Sequence, residues 1–447
     1  MNRKIFIMLA SLCVILSIYA TVFTPQADND KPQDNTTQIS FIDQIAHLNG
    51  VSNLTVLKTD NFVDKCVFFI EQPLNHKDIT KGVFKQRVFV SHKGFDRPTV
   101  FVTEGYGADY AAHARYTNEL ADLFNTNLIV VEHRYFLEST PVPRDWEYLT
   151  AENSANDLHR IFTALKTVYQ QKWISTGLSK GGQTTMIYQT FFPNDMDIAV
   201  PYVGPLNRGV EDGRHEIFLR ESVGTQQDRA IIQAFQLELL KRRSKLMPLF
   251  AVHCNERKFE FRASLDEIFD FSVLEYPFTH WQYGTSIDNI PVLTASDEEL
   301  FNHFIAVSSP QYFQEFSMFE SFFVQAEREL GYYGYDIDPF AAYLSIKNTQ
   351  GYMKKLVVPK DADVTFDKTL YDKICEYFEK EDPRMIFIYG EYDPWSATAV
   401  DMSINMKNKQ HIMVAYVPQG SHTVNIRSLP DSLQKQVINT ITEWLEE

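Results

Sequence analysis

The chain has 447 residues, 44% of them hydrophobic and 14% aromatic, with a formal net charge of −16. That is enough apolar material for one large domain with an insertion, or for two domains. So acidic a chain argues against nucleic acid or an anionic membrane surface as a partner, because either would repel it.

Arg3 and Lys4 precede an almost uninterrupted apolar run from Ile5 to Phe23. This is the pattern of an export signal, without a clean small-x-small cleavage site because Ile18 lies two residues before Ala20. A run of about 19 residues is also long enough to remain as an anchor. Residues 1–24 are therefore expected to be a signal peptide or N-terminal anchor. The chain is expected to be exported: secreted, periplasmic, or tethered on the outer side of a membrane. Cys13 lies within the run, but Leu12 stands where lipidation would want a small residue. Residues 25–40, rich in Pro, Asp, Asn and Thr, read as a linker. Asn35 and Asn53 each begin a glycosylation sequon, which matters only in a host that glycosylates.

From about residue 41 the pattern is globular. Two short runs, 66–70 and 87–91, are predicted as an antiparallel pair. Residues 98–103 form an apolar strand running into Glu104-Gly105-Tyr106-Gly107. A helix is predicted over 110–124, a strand over 127–131 and a helix over 151–169, with Ala155, Leu158, Ile161, Phe162 and Leu165 at helical spacing. A strand at 173–176, a helix at 183–192 and a strand at 197–203 follow. Strands apolar on both faces, alternating with helices, indicate a mostly parallel sheet in an α/β fold. From 208 to 380 the pattern changes to long helical stretches, such as 226–246 and 310–330, rich in aromatics and charge. The α/β alternation resumes with a strand at 384–389, a helix at 398–407, a strand at 411–417 and a terminal amphipathic helix at 429–445. One α/β core, 41–207 and 381–447, is thus interrupted by a mostly helical cap.

The chemistry centres on Gly177-Leu178-Ser179-Lys180-Gly181-Gly182, between a strand and a helix. A G-x-S-x-G turn in that context is a nucleophile elbow: small residues let strand and helix approach, and the serine is pushed out above the sheet. A serine needs a base, and the base needs a carboxylate to orient it. Asp393 follows one late strand and His422 follows the next, in the required order Ser, Asp, His. Glu391 is a rival carboxylate. The oxyanion donors are expected to be the N–H of Lys180 and that of Gly105 or Tyr106, with the N-terminus of the following helix behind them.

Cys66, Cys254 and Cys375 lack any C-x-x-C spacing, so no zinc site is expected, and their odd number leaves at least one thiol unpaired. Cys66 reads as a small core residue. His215-Glu216 has no second histidine four residues on, so it is not a zinc-protease helix. There is no phosphate-binding loop or dinucleotide motif. No metal and no cofactor are expected.

The chain resembles the prolyl tri/tetrapeptidyl aminopeptidase family of serine peptidases on an α/β-hydrolase fold. It resembles prolyl carboxypeptidase and its dipeptidyl-peptidase relatives more distantly. The likeness is carried by 69–76 (Phe-Ile-Glu-Gln-Pro-Leu-Asn-His), 104–107, 132–135 (Glu-His-Arg-Tyr), 148–150, the elbow, 278–283, 393–396 (Asp-Pro-Trp-Ser) and 420–422. Lys180 departs from the Ser-Tyr of the carboxypeptidases and favours the aminopeptidase branch. The resemblance implies removal of a short peptide from a peptide N-terminus, with proline near the scissile bond. An exported esterase or lipase with the same triad, and an inactive peptide-binding protein on the same scaffold, are the alternatives.

A helical cap suits that task, because it excludes folded proteins and admits peptide ends. Phe278, Trp281, Tyr283 and Trp395 are candidates for an aromatic slot around a proline ring. Glu104, Glu132, Glu315 and Glu329 are candidates to hold the substrate's free amine, although a carboxylate in such a position more often serves in a structural ion pair. His133 and Arg134 read as structural, Arg134 pairing with a carboxylate. The expected partner is a peptide substrate; the sequence sets no oligomeric state.

Overall fold

The computed structural model describes residues 40–447, so the expectations for residues 1–39 lie outside the described residues. Nine strands form one sheet: β1 (Val51–Val56), β2 (Asp64–Pro73), β3 (Val83–His92), β4 (Thr99–Thr103), β5 (Asn127–Val131), β6 (Trp173–Leu178), β7 (Ile198–Tyr202), β8 (Met385–Gly390) and β9 (Ile412–Val417). Their spatial order is β1-β2-β3-β5-β4-β6-β7-β8-β9. The first three and the β3–β5 pairing are antiparallel, and every pairing from β5 to β9 is parallel. The parallel strands β4, β5, β7 and β8 are buried along their whole length, as strands covered on both faces must be.

Helices α1 (Phe41–Ala46), α2 (Glu119–Phe124), α3 (Ala151–Lys166) and α4 (Lys180–Phe191) belong to the first part of the chain. One face of the sheet buries Trp173, Tyr188 and Phe387, and the other buries Leu120, Ile388 and Trp444. A third apolar cluster lies in the insertion, around Phe235, Phe250, Phe269 and Tyr276. It is built by α5 (Arg214–Ile217), α6 (Gln226–Lys241), α7 (Arg243–Glu256), α8 (Leu265–Gln282), α9 (Asp297–Val307), α10 (Glu320–Gln325) and α11 (Tyr352–Leu356). The next helix, α12 (Thr369–Lys380), instead sends Leu370, Ile374 and Phe378 into the sheet-side core. The terminal helix α13 (Asp431–Glu446) packs Val437, Ile441 and Trp444 on the opposite face. Helices α6, α8 and α9 each start on a reciprocal cap, Thr225 with Asp228, Ser264 with Glu267 and Ser296 with Glu299, which satisfies N–H groups that would otherwise be orphaned.

Several predicted elements are cut differently in the structure. Strand β1 carries no clear alternation and is absent from the sequence reading. The helix predicted over 110–124 is a 3₁₀ turn, Asp109–Ala112, and then α2, which restarts where Asn118 caps Leu120 N–H. The stretch 226–246 breaks at Arg242, whose guanidinium is tied to Glu238, Asp297 and the Ala295 carbonyl. The stretch 310–330 breaks at 314–319, where Glu315 N–H bonds the Glu260 carbonyl instead of its own helix. In place of the helix predicted over 398–407 lie the end of a 3₁₀ turn, Pro394–Thr398, and a second, Val400–Met402, because the Tyr389 hydroxyl takes Val400 N–H and Asn207 takes the Thr398 hydroxyl.

Two buried features hold the site end of the sheet. The fully buried Arg134 grips Asp157 at 2.6 and 2.7 Å and donates to the carbonyls of Leu74 and Tyr148. The pairing expected for Arg134 is therefore present. The other feature is the contact of α4 with its strands. A Cβ on Gly177 would lie 2.3 Å from the Gly181 carbonyl, and one on Gly182 would lie 2.5 Å from the Tyr202 carbonyl oxygen. Backbone meets backbone there, so nothing flexible can yield. Gly177→Ala is expected to cost about 1–3 kcal/mol in urea unfolding, whereas Gly209→Ala, with nothing within 4 Å, should stay within about 0.5 kcal/mol.

Candidate active site

Ser179 sits at φ 60°, ψ −121°, outside the conformations an L-residue adopts without strain. It is held there by its N–H, which donates to the Tyr202 carbonyl at 2.9 Å, and by its carbonyl, which accepts from Gln183 at 2.9 Å. Helix α4 begins at the next residue, three residues earlier than the sequence pattern indicates. Lys180 N–H is therefore a first-turn donor with no helical partner, and the positive end of α4 lies behind the serine.

Asp393 follows β8 and is wholly buried. One carboxylate oxygen accepts Trp395 N–H at 3.1 Å and starts the 3₁₀ turn Pro394–Thr398; the other meets Nδ1 of His422 at 2.7 Å. The rival, Glu391, is exposed and accepts Gln419 N–H at 2.8 Å. His422 follows β9, and its own N–H donates to the Gln282 carbonyl at the end of α8, at 2.9 Å. With Nδ1 donating to the carboxylate, Nε2 is left as an acceptor, and this atom is buried with no protein partner. An imidazole so oriented can take a proton from a hydroxyl and hold the positive charge beside Asp393.

The loop after β4 is arranged differently from the simple expectation of a free oxyanion donor. Gly105 N–H donates to the Glu104 carboxylate at 3.0 Å, and Tyr106 N–H faces the same carboxylate. The other Glu104 oxygen accepts the Tyr110 hydroxyl. Burial pushes the Glu104 carboxyl up, against these hydrogen bonds and the charge of Lys180. The Lys180 side chain does not point to solvent. It is buried, donates from Nζ to the Gly105 carbonyl at 2.6 Å, and lies against the Tyr106 and Phe136 rings. Burial drives its ammonium well below the ordinary lysine range, opposed by Glu104 and Glu329. Lys180 thus ties the elbow to the loop that is expected to complete the oxyanion site. His133 is buried, with Nδ1 on the Arg134 carbonyl at 2.8 Å.

Of the four aromatic candidates, Phe278 and Trp395 come together. Phe278 lies edge-on to Trp395 at 5.2 Å and stacks on Tyr333 at 3.7 Å, while Trp395 lies 6.4 Å from the His422 ring. Trp281 packs on Tyr392 at 5.3 Å, and Tyr283 is exposed. His215 is marked in the sequence only as lacking the second histidine of a zinc site. It is fully buried among Phe278, Tyr333 and Trp395, and burial holds its imidazole neutral, down at about 3.

The four proposed amine-binding carboxylates are otherwise engaged. Glu132 pairs with Arg87. Glu315 pairs with Arg262 and Lys360, each at 3.1 Å. Glu329 accepts Ala151 N–H at 2.7 Å, capping α3. Glu104 has the partners given above. Two further carboxylates in the cap, Glu275 and Glu216, were not singled out as binding residues, because nothing in their local sequence marks them as buried. Glu275 accepts the hydroxyls of Tyr333, Tyr335 and Thr279 at 2.9, 2.7 and 3.0 Å.

A strained serine between strand and helix, at the C-terminal edge of a parallel sheet that carries an Asp–His pair on its last two strand ends, defines an α/β-hydrolase. Residues 38–446 match the family described as PS-10 peptidase S37. The chain belongs to this family and is a serine peptidase, a hydrolase acting on peptides. It is 30% identical over 389 residues to the prolyl tri/tetrapeptidyl aminopeptidase of Streptomyces mobaraensis, covering 85% of this chain and 79% of that one. Among solved structures it is similar to the proline iminopeptidase of Mycobacterium smegmatis, at 12% identity and a TM-score of 0.41, covering 84% of this chain and 98% of that one. It is also similar to the peroxisomal α/β-hydrolase Lpx1 of Saccharomyces cerevisiae, at 12% identity and a TM-score of 0.36, covering 89% and 90%.

Burial moves the Glu275 carboxyl from the usual 4.5 up to about 7. Between these values the folded chain holds a proton that the unfolded chain has released, so this residue makes stability fall as pH rises through that window. Glu275→Gln should flatten the fall between about pH 5 and pH 8 by roughly 1–3 kcal/mol, read from urea unfolding at the two pH values. Glu329, also raised to about 7 by burial, keeps its own share of the slope in that variant.

Proposed function

We propose that this peptidase removes short peptides, three or four residues long, from the N-termini of peptide substrates with proline near the scissile bond, and that it acts outside the cytoplasm. The observation that carries the chemical reading is the 2.7 Å contact of His422 Nδ1 with the buried Asp393 carboxylate. Ser179 Oγ attacks the scissile carbonyl while His422 Nε2 takes its proton. The tetrahedral oxyanion is held by Lys180 N–H and the positive end of α4. His422 then gives the proton to the leaving amine, which departs and leaves an acyl-serine. Water, deprotonated by the same imidazole, attacks the ester and frees Ser179. Asp393 holds the tautomer and supports the imidazolium throughout.

The substrate class is supported by two observations. The relative from Streptomyces mobaraensis bears the name of a prolyl tri/tetrapeptidyl aminopeptidase. Trp395, Phe278 and Tyr333 gather flat apolar faces beside His422, which suits a proline ring. Export is supported by the basic and apolar pattern of residues 1–24.

Ser179→Ala should lower kcat on a tripeptide p-nitroanilide ending in proline by on the order of 10⁵-fold or more and abolish labelling by a fluorophosphonate probe; unchanged turnover would overturn the nucleophile assignment. Mass spectrometry of a digested mixed peptide library should show cuts three or four residues from free N-termini, after proline. An enzyme that hydrolysed simple esters and none of these peptides would end the substrate reading.

A further inference from the structure

A cavity of about 490 Å³ opens within the cap, a size suited to a short peptide. Its walls include Phe278, Trp281 and Tyr333. Those rings are the far side of the aromatic group that ends at the active site. Ring-to-ring steps of 6.4 Å, from His422 to Trp395, and 5.2 Å, from Trp395 to Phe278, lead from the imidazole to the cavity wall. Three extended residues span about 10 Å. That length is comparable with the two ring steps between His422 and the cavity wall.

Most of the charged groups along the cavity are already paired. Arg220 is bound to Glu221 at 2.9 Å and to Asp336 at 2.7 Å. Arg229 donates to the carbonyls of Val223 and Gly224 at 2.8 and 3.1 Å. Glu216 differs. Its carboxylate is held on one side by the Gly334 backbone, while Oε2 is buried without any hydrogen-bond partner. No lysine or arginine pairs with it among the described residues. A buried carboxylate oxygen lacking a donor is costly unless a ligand supplies one. The residue rides on α5, directly before the π-helical turn Phe218–Ser222, which itself contributes Leu219, Arg220 and Glu221 to the wall. Such turns are common at functional sites.

We infer that the cap cavity is the subsite for the substrate's N-terminal residues and that Glu216 is the carboxylate that binds the free α-ammonium. This rests on the aminopeptidase reading given above and adds to it the residue that makes the enzyme an exopeptidase. The ammonium donates to Oε2, a charge-assisted hydrogen bond that a blocked N-terminus cannot make.

The test compares Ala-Ala-Pro p-nitroanilide with its N-acetyl form. The wild-type enzyme should prefer the free amine. In Glu216→Gln, KM for the free amine should rise roughly 10- to 100-fold, while the N-acetyl substrate changes little, so the preference collapses. Glu216→Asp should retain part of it. A structural role would weaken both substrates alike, and a preference that survives in Glu216→Gln overturns the assignment while leaving the peptidase reading intact. A wild-type enzyme that cleaves neither peptide overturns both. Should Glu216→Gln not fold, Ala230→Trp, at the exposed side of the cavity, serves instead. It should raise KM for the free-amine peptide several-fold more than KM for a p-nitrophenyl ester; an equal effect on both overturns the subsite.

Discussion

Everything at this site depends on how closely α4 approaches the strands beneath it. Ser179 keeps a positive φ only because the backbone on both sides is pinned, by Tyr202 before it and Gln183 after it. The approach leaves no volume for side chains at Gly177, Gly182 or Gly204, where a Cβ would fall 2.3–2.7 Å from backbone atoms. Gly105 meets the same helix end, a Cβ there falling 2.7 Å from Gly181 N. Four glycines from three separate segments therefore converge on one helix N-terminus. Strain at the serine is sustained by this packing, and the serine's exposure above the sheet follows from it.

The cap is joined to this arrangement at several points. Its helix α8 accepts the His422 N–H through Gln282. Glu329 caps α3, Gln183 of α4 donates to the Leu330 carbonyl at 3.2 Å, and Arg328 donates to the Trp146 carbonyl at 2.7 Å. Trp395, one turn from Asp393, is buried in the cap cluster. The residues that orient the imidazole and those that shape the cap cavity thus share side chains and hydrogen bonds. A substitution in one region is felt in the other. The interior of the cap is unusually polar for an apolar cluster, with Glu275 satisfied entirely by hydroxyls. A neutral carboxyl in that setting accepts and donates without a counter-ion, which fits the rise of its titration to about 7.

Much of the sheet could be read directly. The strand at 127–131 coincides with β5, and the ends of β4, β7, β8 and β9 fall within one residue or so of the apolar runs. Fully buried parallel strands leave a strong signal because both faces must be apolar. Helical stretches were read less well where tertiary hydrogen bonds interrupt them, as at Arg242 and Val400. Those interruptions depend on partners more than ten residues away, and periodicity does not register them. The Ser, Asp and His positions were legible because a tight turn, a strand end and chain order each leave a local mark.

The carboxylate proposed to bind the amine was not legible, and the reason is physical. A glutamate's role is set by which donors surround it, and those donors come from the whole fold. Glu132, Glu315 and Glu329 each acquire a structural partner from a distant segment, whereas Glu216 acquires none at Oε2. The Lys180 side chain was likewise invisible as a brace until the loop after β4 was brought to within 2.6 Å of its Nζ. The amino-acid sequence by itself determined the parallel sheet, the elbow, the order of the polar residues at the strand ends and the family, because each rests on neighbours in the chain or on hydrophobic period. Only the tertiary structure decided which charges are paired, which buried oxygens are left without a donor and which residues line the cavity, because pairing and burial are properties of packing between segments far apart in sequence.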